Sequence, residues 1–260
     1  MRLATWNVNS LKARLPRVEA WLEDVQPDVV CLQETKLADG AFPAMTFGAL
    51  GYESVHHGEG RWNGVAILSR VGLEDPRFGF GPDDDDPEAR LVWATCGGVR
   101  VASAYVPNGR SLDDDHYTYK LAWLAKLRAL LDLEDPAASV VVAGDFNIAP
   151  TDIDVYDPRK FVDSTHTSAP ERDALAGLEA WGLVDTFRRL QPEDRLYSWW
   201  DYRSGDFHQH RGMRIDLVLA TEPVASRATF ATIDRQARKG DKPSDHAPVI
   251  VDLDDREQAA

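Results

Sequence analysis

The sequence predicts an α/β fold in which two packed sheets are covered by helices, and three observations carry that expectation. Short β-branched runs recur along the chain, several of them closed by Gly, Asn or Pro. Apolar residues at helical spacing fall between some of these runs. The two kinds of segment come in mixed rather than strict alternation, with hairpin-like strand pairs as well as helix crossovers, which fits poorly with a single doubly wound sheet.

The elements follow in chain order. A first strand ends in Trp6-Asn7-Val8-Asn9. Val18, Trp21, Leu22 and Val25 keep helical spacing behind Pro16, whose fixed φ suits a first helical turn, so a helix is expected to open at Pro16. Val29 to Leu32, Val65 to Leu68, Val99 to Val106 and Val140 to Ala143 are short β-branched runs and read as strands buried on both faces, as do Leu217 to Leu219 and Val249 to Val251. Leu121, Leu124, Leu127 and Leu131 predict a second helix. A third follows Ser168, whose spacing to Glu171 is that of a capping box; Leu175, Leu178 and Trp181 supply its apolar face and Gly182 its stop. One domain is expected over 1–254, loosely divided near Leu133 to Ala138 into halves of about 1–135 and 136–254 that each open with a strand ending in an Asn-bearing loop, followed by a short acidic tail at 255–260.

Composition narrows the function. With 260 residues, 43% hydrophobic and 28% charged, the chain has the material for a sizeable core and is neither collagenous nor low-complexity. No run approaches the roughly 18 apolar residues of a membrane span, and the opening residues lack the apolar region of a signal peptide, so a cytoplasmic protein is expected. Cys31 and Cys96 lie in apolar stretches and are expected as buried, reduced thiols. A net charge of −14 excludes a protein that coats nucleic acid by bulk attraction, so a phosphate-bearing substrate must be met locally. The acidic runs Asp83 to Asp86, Asp113 to Asp115 and Asp252 to Glu257 read as solvated loops and tail. Local cations are offered by Arg203, His208, His210, Arg211 and Arg214, and by Arg235, Arg238, Lys239 and Lys242.

The informative residues are polar ones at strand ends, where a carboxylate beside an apolar run is costly without a partner or a cation. Glu34 follows Val29 to Gln33, Asp145 and Asn147 follow Val140 to Gly144, Asp216 opens Leu217 to Leu219, and Asp245-His246 precedes Val249. Asn7 and Asn9 end the first strand and Tyr105 another; in extended chain, Asn7 with Asn9 and Asp145 with Asn147 face one way. Each has an ordinary alternative as turn former, backbone cap or wet core hydroxyl. Carboxylates with Asn carbonyls suit a hard cation such as Mg²⁺ or Mn²⁺, whereas zinc-type Cys and His spacing is missing.

Six ordered segments, Trp6-Asn7-Val8-Asn9, Leu32 to Lys36, Tyr105 to Gly109, Gly144 to Pro150, Arg214-Ile215-Asp216 and Ser244 to Pro248, resemble the motifs of the exonuclease III family of apurinic/apyrimidinic endonucleases, within the endonuclease/exonuclease/phosphatase superfamily. The similarity runs to about Leu253, and Gln33 to Lys36, Tyr105 to Asn108 and Ser198 to Arg203 point to the DNA-repair branch. It implies a four-layer α/β sandwich with the active site at one edge of two central mixed sheets. It further implies Glu34 as principal Mg²⁺ ligand, helped by Asn7 and Asp245, with Asp145 and Asn147 lining a second metal position. Asp145 would orient or deprotonate the water, His246 held by Asp216 would place the phosphate, and Asn147 and Tyr105 would donate to its oxygens. Asn9 departs from relatives with Asp there. Trp199, Met213 and Ile215 would form a small pocket for a sugar that has lost its base, and Asn108, Arg110, Arg203 and Lys36, with Arg211 a weaker candidate, would meet DNA.

The implied activity is hydrolysis of phosphodiesters 5′ to abasic sites and from 3′ ends of duplex DNA, by a monomer that uses Mg²⁺, with Mn²⁺ as a substitute, and does not engage membranes. The alternatives are a phosphatase or phosphodiesterase of the same superfamily acting on a phospholipid or inositol headgroup, and a non-catalytic DNA-binding module. Trp199 and Tyr105-Val106-Pro107-Asn108 speak against the first; the set Asn7, Glu34, Tyr105, Asp145, Asn147, Asp216 and His246 speaks against the second.

Overall fold

The computed structural model describes residues 1–81, 86 and 88–254; most of the Asp83 to Asp86 run and the tail from 255 lie outside them. In chain order the strands and α-helices are β1 (Arg2–Asn7), α1 (Leu11–Val25), β2 (Val29–Gln33), α2 (Ala44–Ala49), β3 (Glu53–His57), β4 (Val65–Ser69), β5 (Glu74–Phe78), β6 (Leu91–Cys96) and β7 (Val99–Tyr105). They continue as α3 (Asp115–Leu131), β8 (Val140–Asp145), α4 (Ala169–Trp181), β9 (Leu183–Asp185), α5 (Thr186–Leu190), β10 (Asp216–Thr221), α6 (Glu222–Ala225), β11 (Ala228–Ile233) and β12 (Val249–Leu253). Among the described residues the strands form two six-stranded sheets, in the orders β11-β12-β1-β2-β4-β3 and β5-β6-β7-β8-β10-β9. The parallel pairs are β1 with β2, joined through α1, and β7 with β8, joined through α3; the other neighbours are antiparallel. Each sheet draws strands from both sides of 133–138.

Period-2 alternation on these strands makes four layers. Leu3, Val29, Cys31 and Ile67 of one sheet meet Val92, Val101, Val141 and Val218 of the other in a shared core. Ala4, Trp6, Val30 and Leu32 point the other way, onto Val18, Trp21 and Leu22 of α1 and Phe47 of α2. Ala102, Val142 and Leu217 take Trp123, Leu124 and Leu127 of α3 and Leu175 and Leu178 of α4. The two cysteines are buried and free, as expected.

α1 differs from expectation: it begins at Leu11, so Pro16 lies inside it. Leu11 is fully buried and its N–H donates to the Thr35 carbonyl, and that anchoring starts the helix ahead of the proline. α4 carries the expected capping box between Ser168 and Glu171, and Gly182 ends it at φ 133°. The Asp113 to Asp115 run is not simply a solvated loop, because Asp114 caps α3 by accepting from the His116 N–H at 2.9 Å. Asp86 accepts from the Tyr119 hydroxyl at 2.9 Å. No helix among the described residues is long and apolar enough to cross a membrane.

The fold positions a polar site because the stripes facing the shared core change character at one end. Val29 and Cys31 lead to Gln33; Val101 and Ser103 lead to Tyr105; Val141 and Ala143 lead to Asp145. Tyr105 and Asp216 are both register partners of Asp145, from the strands on either side of β8. Gly144 permits this convergence, since a Cβ there would lie 1.8 Å from the Ala104 carbonyl oxygen.

Candidate active site

Two carboxylates stand side by side at this edge, one from each sheet. Asn7, fully buried at the end of β1, donates from Nδ2 to Glu34 Oε1 at 2.8 Å and to Asp145 Oδ2 at 2.9 Å, while its Oδ1 accepts from the Asn9 N–H at 3.1 Å. The backbone donor fixes which way the amide points. Asn7 therefore meets both carboxylates through its nitrogen and spaces them. Glu34 leaves β2 at φ 52° and is flanked by Lys36, whose Nζ lies 2.9 Å from Oε2 and donates to Asn9 Oδ1 at 2.7 Å.

His246 closes the site from the loop before β12. Its Nδ1 lies 2.9 Å from Asp216 Oδ2, and its Nε2 lies 3.8 Å from Asp145 Oδ2. Burial opposes the imidazolium, but Asp216 and then Asp145 outweigh it and push the pKa up to about 10. Asp145 is raised to about 7, chiefly by burial, with the His246 cation pulling the other way and Asp216 adding to the rise. Tyr105 is pushed well above the ordinary phenol range by burial and by Glu34, so it stays a hydroxyl donor at neutral pH. Arg90 stacks 4.6 Å over its ring.

Glu34, Asp145 and His246 each present a ligand-type atom within 4.8 Å of the others. Glu34 and Asp145 offer carboxylate oxygens that suit a hard cation, and His246, with its Nδ1 on Asp216, borders the same space. Two carboxylate oxygens with room for water and phosphate are the usual donor set of Mg²⁺. Asp245 Oδ1 accepts from Asn9 Nδ2 at 2.9 Å and its Oδ2 from Trp199 Nε1 at 3.1 Å. Asn9, which stands where an aspartate was expected, thus spends its amide on Asp245 and Lys36. Asn147, at φ 51°, donates to the Val106 carbonyl and accepts from Asn108 Nδ2 at 3.0 Å.

Met213 and Ile215 are buried in one small apolar cluster with Ala149 and Val155, against which Trp199 and Phe161 pack. Trp199 also bridges Met213 and His246 through the backbone, which ties this cluster to the segment that carries the imidazole. The basic residues divide. Arg214 is fully buried, 2.6 Å from Asp154 and 2.8 Å from Asp185, which removes it from the cations available to a substrate. Arg203 is exposed with its guanidinium on Asp201, Arg211 is paired with Asp206, and Arg110 is exposed 3.9 Å from Asp114.

Sequence reasoning missed His166. Its Nε2 lies 3.2 Å from Asn147 Oδ1 and 3.2 Å from Asn108 Nδ2. Burial, then the charge of Lys120, lowers its pKa to about 4, so it is neutral at physiological pH. It also missed Lys120 and Glu171, the latter read only as a helix cap; a lysine at a buried position of an apolar helix face was the available signal.

Comparison with known proteins agrees with this architecture. Exodeoxyribonuclease III of Haemophilus influenzae is 36% identical over 97% of this chain and all of its own length. An exodeoxyribonuclease of Bacillus subtilis is 30% identical over 96% of this chain and 98% of its own. Among solved structures, a 3′ phosphatase from Neisseria bound to a product DNA hairpin superposes with a TM-score of 0.95 at 41% identity, covering 98% of this chain and 99% of that one. An AP endonuclease from Archaeoglobus fulgidus gives 0.94 at 38% identity over 98% and 99% of the two chains. Residues 4–246 match the endonuclease/exonuclease/phosphatase family, and on that match, with the paired carboxylates and the Asp216–His246 couple at the sheet edge, the chain belongs to this family.

Proposed function

We propose that the chain is a Mg²⁺-dependent DNA-repair nuclease that hydrolyses phosphodiesters 5′ to abasic sites and trims 3′ ends of duplex DNA, with Mn²⁺ able to replace Mg²⁺. The observation that carries this reading is the pairing of Glu34 and Asp145 through Asn7 beside a protonated His246, next to the apolar cluster of Trp199, Met213 and Ile215. The activities in the names of its relatives share that chemistry.

Glu34 and Asp145 would hold the cation, which when bound supplies charge neutralisation for the phosphoryl oxygens. Asp145, held by Asn7 and 3.8 Å from His246 Nε2, is placed to orient the attacking water or accept its proton. His246, kept charged by Asp216, places the phosphate and stabilises the charge that builds on its oxygens. Tyr105 donates its hydroxyl proton to the same oxygens, with Asn147 beside it, and Lys36 holds Glu34 in place. Trp199, fixed through its indole N–H on Asp245, presents an apolar wall with Met213 and Ile215 that a sugar without a base would fit and an intact nucleotide would overfill.

End-labelled duplex carrying one abasic analogue, an undamaged duplex, a duplex with a 3′-phosphate and a phospholipid, each with Mg²⁺ or with chelator, test this assignment. Metal-dependent cleavage of the DNA substrates is expected; hydrolysis of the lipid alone would overturn it.

Two further outcomes are expected. Asp216→Asn and His246→Asn should each slow the reaction strongly and their double variant little further, because the carboxylate acts through the ring; log-rate losses that simply add would refute the couple. A protein of net charge −14 should also show a shallow dependence of duplex affinity on salt, since log affinity falls by about 0.9 per neutralised phosphate and the contacts are expected from a few local cations only. Against that background Trp199→Ala should hurt abasic-site cleavage more than undamaged-duplex binding, and Arg203→Ala should weaken both. Equal losses from Trp199→Ala on both substrates, with a steep salt slope, would refute this division.

A further inference from the structure

Lys120 and Glu171 form an ion pair with both side chains fully buried, in a region otherwise built from the apolar faces of α3 and α4. Lys120 Nζ has three protons and three acceptors: Glu171 Oε1, the Asn147 carbonyl at 2.7 Å and the Asn108 carbonyl at 3.4 Å. Glu171 is as fully used. Oε1 also accepts from Thr165 Oγ1 at 2.8 Å and from the His166 N–H at 2.9 Å, and Oε2 takes the Ser168 hydroxyl and N–H. Thr165 Oγ1 lies 3.1 Å from the Asn108 carbonyl as well. One ion pair thus grips the backbone of Asn108, Asn147 and His166, the three residues whose side chains meet one another beside Asp145.

A buried ion pair is poor value for stability, since apolar residues of the same volume often hold a fold as well or better. A helix cap does not need it either, because Ser168 is served by Oε2 alone. What the pair adds is placement, a fixed distance between the loop after β7 and the loop after β8. We propose that Lys120 and Glu171 are positioning residues that set Asn108, Asn147 and His166 for the phosphate-binding side of the active site. This rests on the nuclease reading above.

The test compares Lys120→Met, Glu171→Gln and the double variant in thermal melting and in steady-state cleavage of an abasic-site duplex with Mg²⁺. Each single variant is expected to melt lower, because one buried charge loses its partner or its donor. The double variant should recover most of that loss, yet keep kcat about tenfold to a hundredfold down with KM within about threefold. Recovery of kcat together with the melting temperature would overturn the proposal.

The effect must also pass through the asparagine. Placed on Asn147→Ala, the double substitution should cost less than about threefold in kcat, and additive losses would overturn the proposal. Thr165→Val keeps the ion pair and removes only one of its loop contacts, so it serves should the others fold poorly. It should lower kcat severalfold with a smaller loss of melting temperature than either single charge variant, and unchanged kcat would overturn the proposal. If the wild-type protein cleaves none of these duplexes, the nuclease reading has failed instead.

Discussion

Replacing Glu34 with Ala should lower turnover roughly a thousandfold while leaving the protein folded. The geometry gives both halves of that expectation. Glu34 is one of two carboxylates held by Asn7, so its loss halves the oxygen set offered to a cation and leaves the Lys36 ammonium facing the same space. Folding is spared because Glu34 is only partly buried and stands at φ 52°, a conformation that strains alanine no differently from glutamate. Single-turnover rates across a Mg²⁺ titration should show the concentration for half-maximal rate moving upward, and Glu34→Gln, which keeps the acceptor for Asn7, should fall between. A circular-dichroism-normal Glu34→Ala protein that cleaved at near wild-type rate at limiting Mg²⁺ would remove Glu34 from the metal site.

The centre of the site was legible because strand sequences announce their ends. Asp145, Asp216 and Tyr105 are each the point at which a run of inward-facing apolar residues meets a polar one, and strand register then brings all three together. Asn7 was legible as a position, but which amide atom faces the carboxylates was not, because that depends on the Asn9 N–H, a contact created by the turn. Arg214 shows the opposite failure. In sequence it is one of a cluster of basic residues; in the fold its neighbours Asp154 and Asp185 come from distant segments and take it out of solvent.

Two of the strands that escaped prediction escaped for similar reasons. β5 reads Glu-Asp-Pro-Arg-Phe and is exposed throughout; it is a strand only because it pairs along the edge of β6. β9 is three residues long and is defined by its pairing with β10. Propensity and periodicity are silent where hydrogen bonding to a neighbour, not burial of a face, makes the strand. Lys120 and Glu171 belong with these: each lies in a correctly read helix, and only the packing of α3 against α4 makes them partners.

Asp145→Asn should abolish most activity and, without metal, make the protein more stable at pH 8. The catalytic loss, on the order of 10²–10⁴ in kcat, follows from removing a positioned base. The gain in stability follows from the direction of the pKa shift. Burial raises this carboxyl from 3.8 to about 7 despite the His246 cation, so the folded state holds the proton more tightly than the unfolded one. Stability therefore falls as pH rises from about 4 to about 7, and above 7 the whole cost of the buried anion is present. Converted at about 1.4 kcal/mol per unit, the shift corresponds to a cost on the order of 4 kcal/mol at most, enough to move the melting temperature by several degrees. His246 does not reverse the sign. Raised from 6.5 to about 10, it contributes stability fully present below 6.5 and lost as pH climbs through 10, and Asp216 continues to support it when Asp145 is neutral. In chelator, then, Asp145→Asn should melt several degrees above wild type at pH 8 and close to it near pH 4. Mg²⁺ should raise the wild-type melting temperature and narrow the gap, since the cation stabilises the carboxylate pair that the fold alone leaves at a cost. A variant that melted below wild type at pH 8 in chelator would show that Asp145 is held by its partners more favourably than its burial implies, and the apo site would not be storing the charge on which its metal affinity depends.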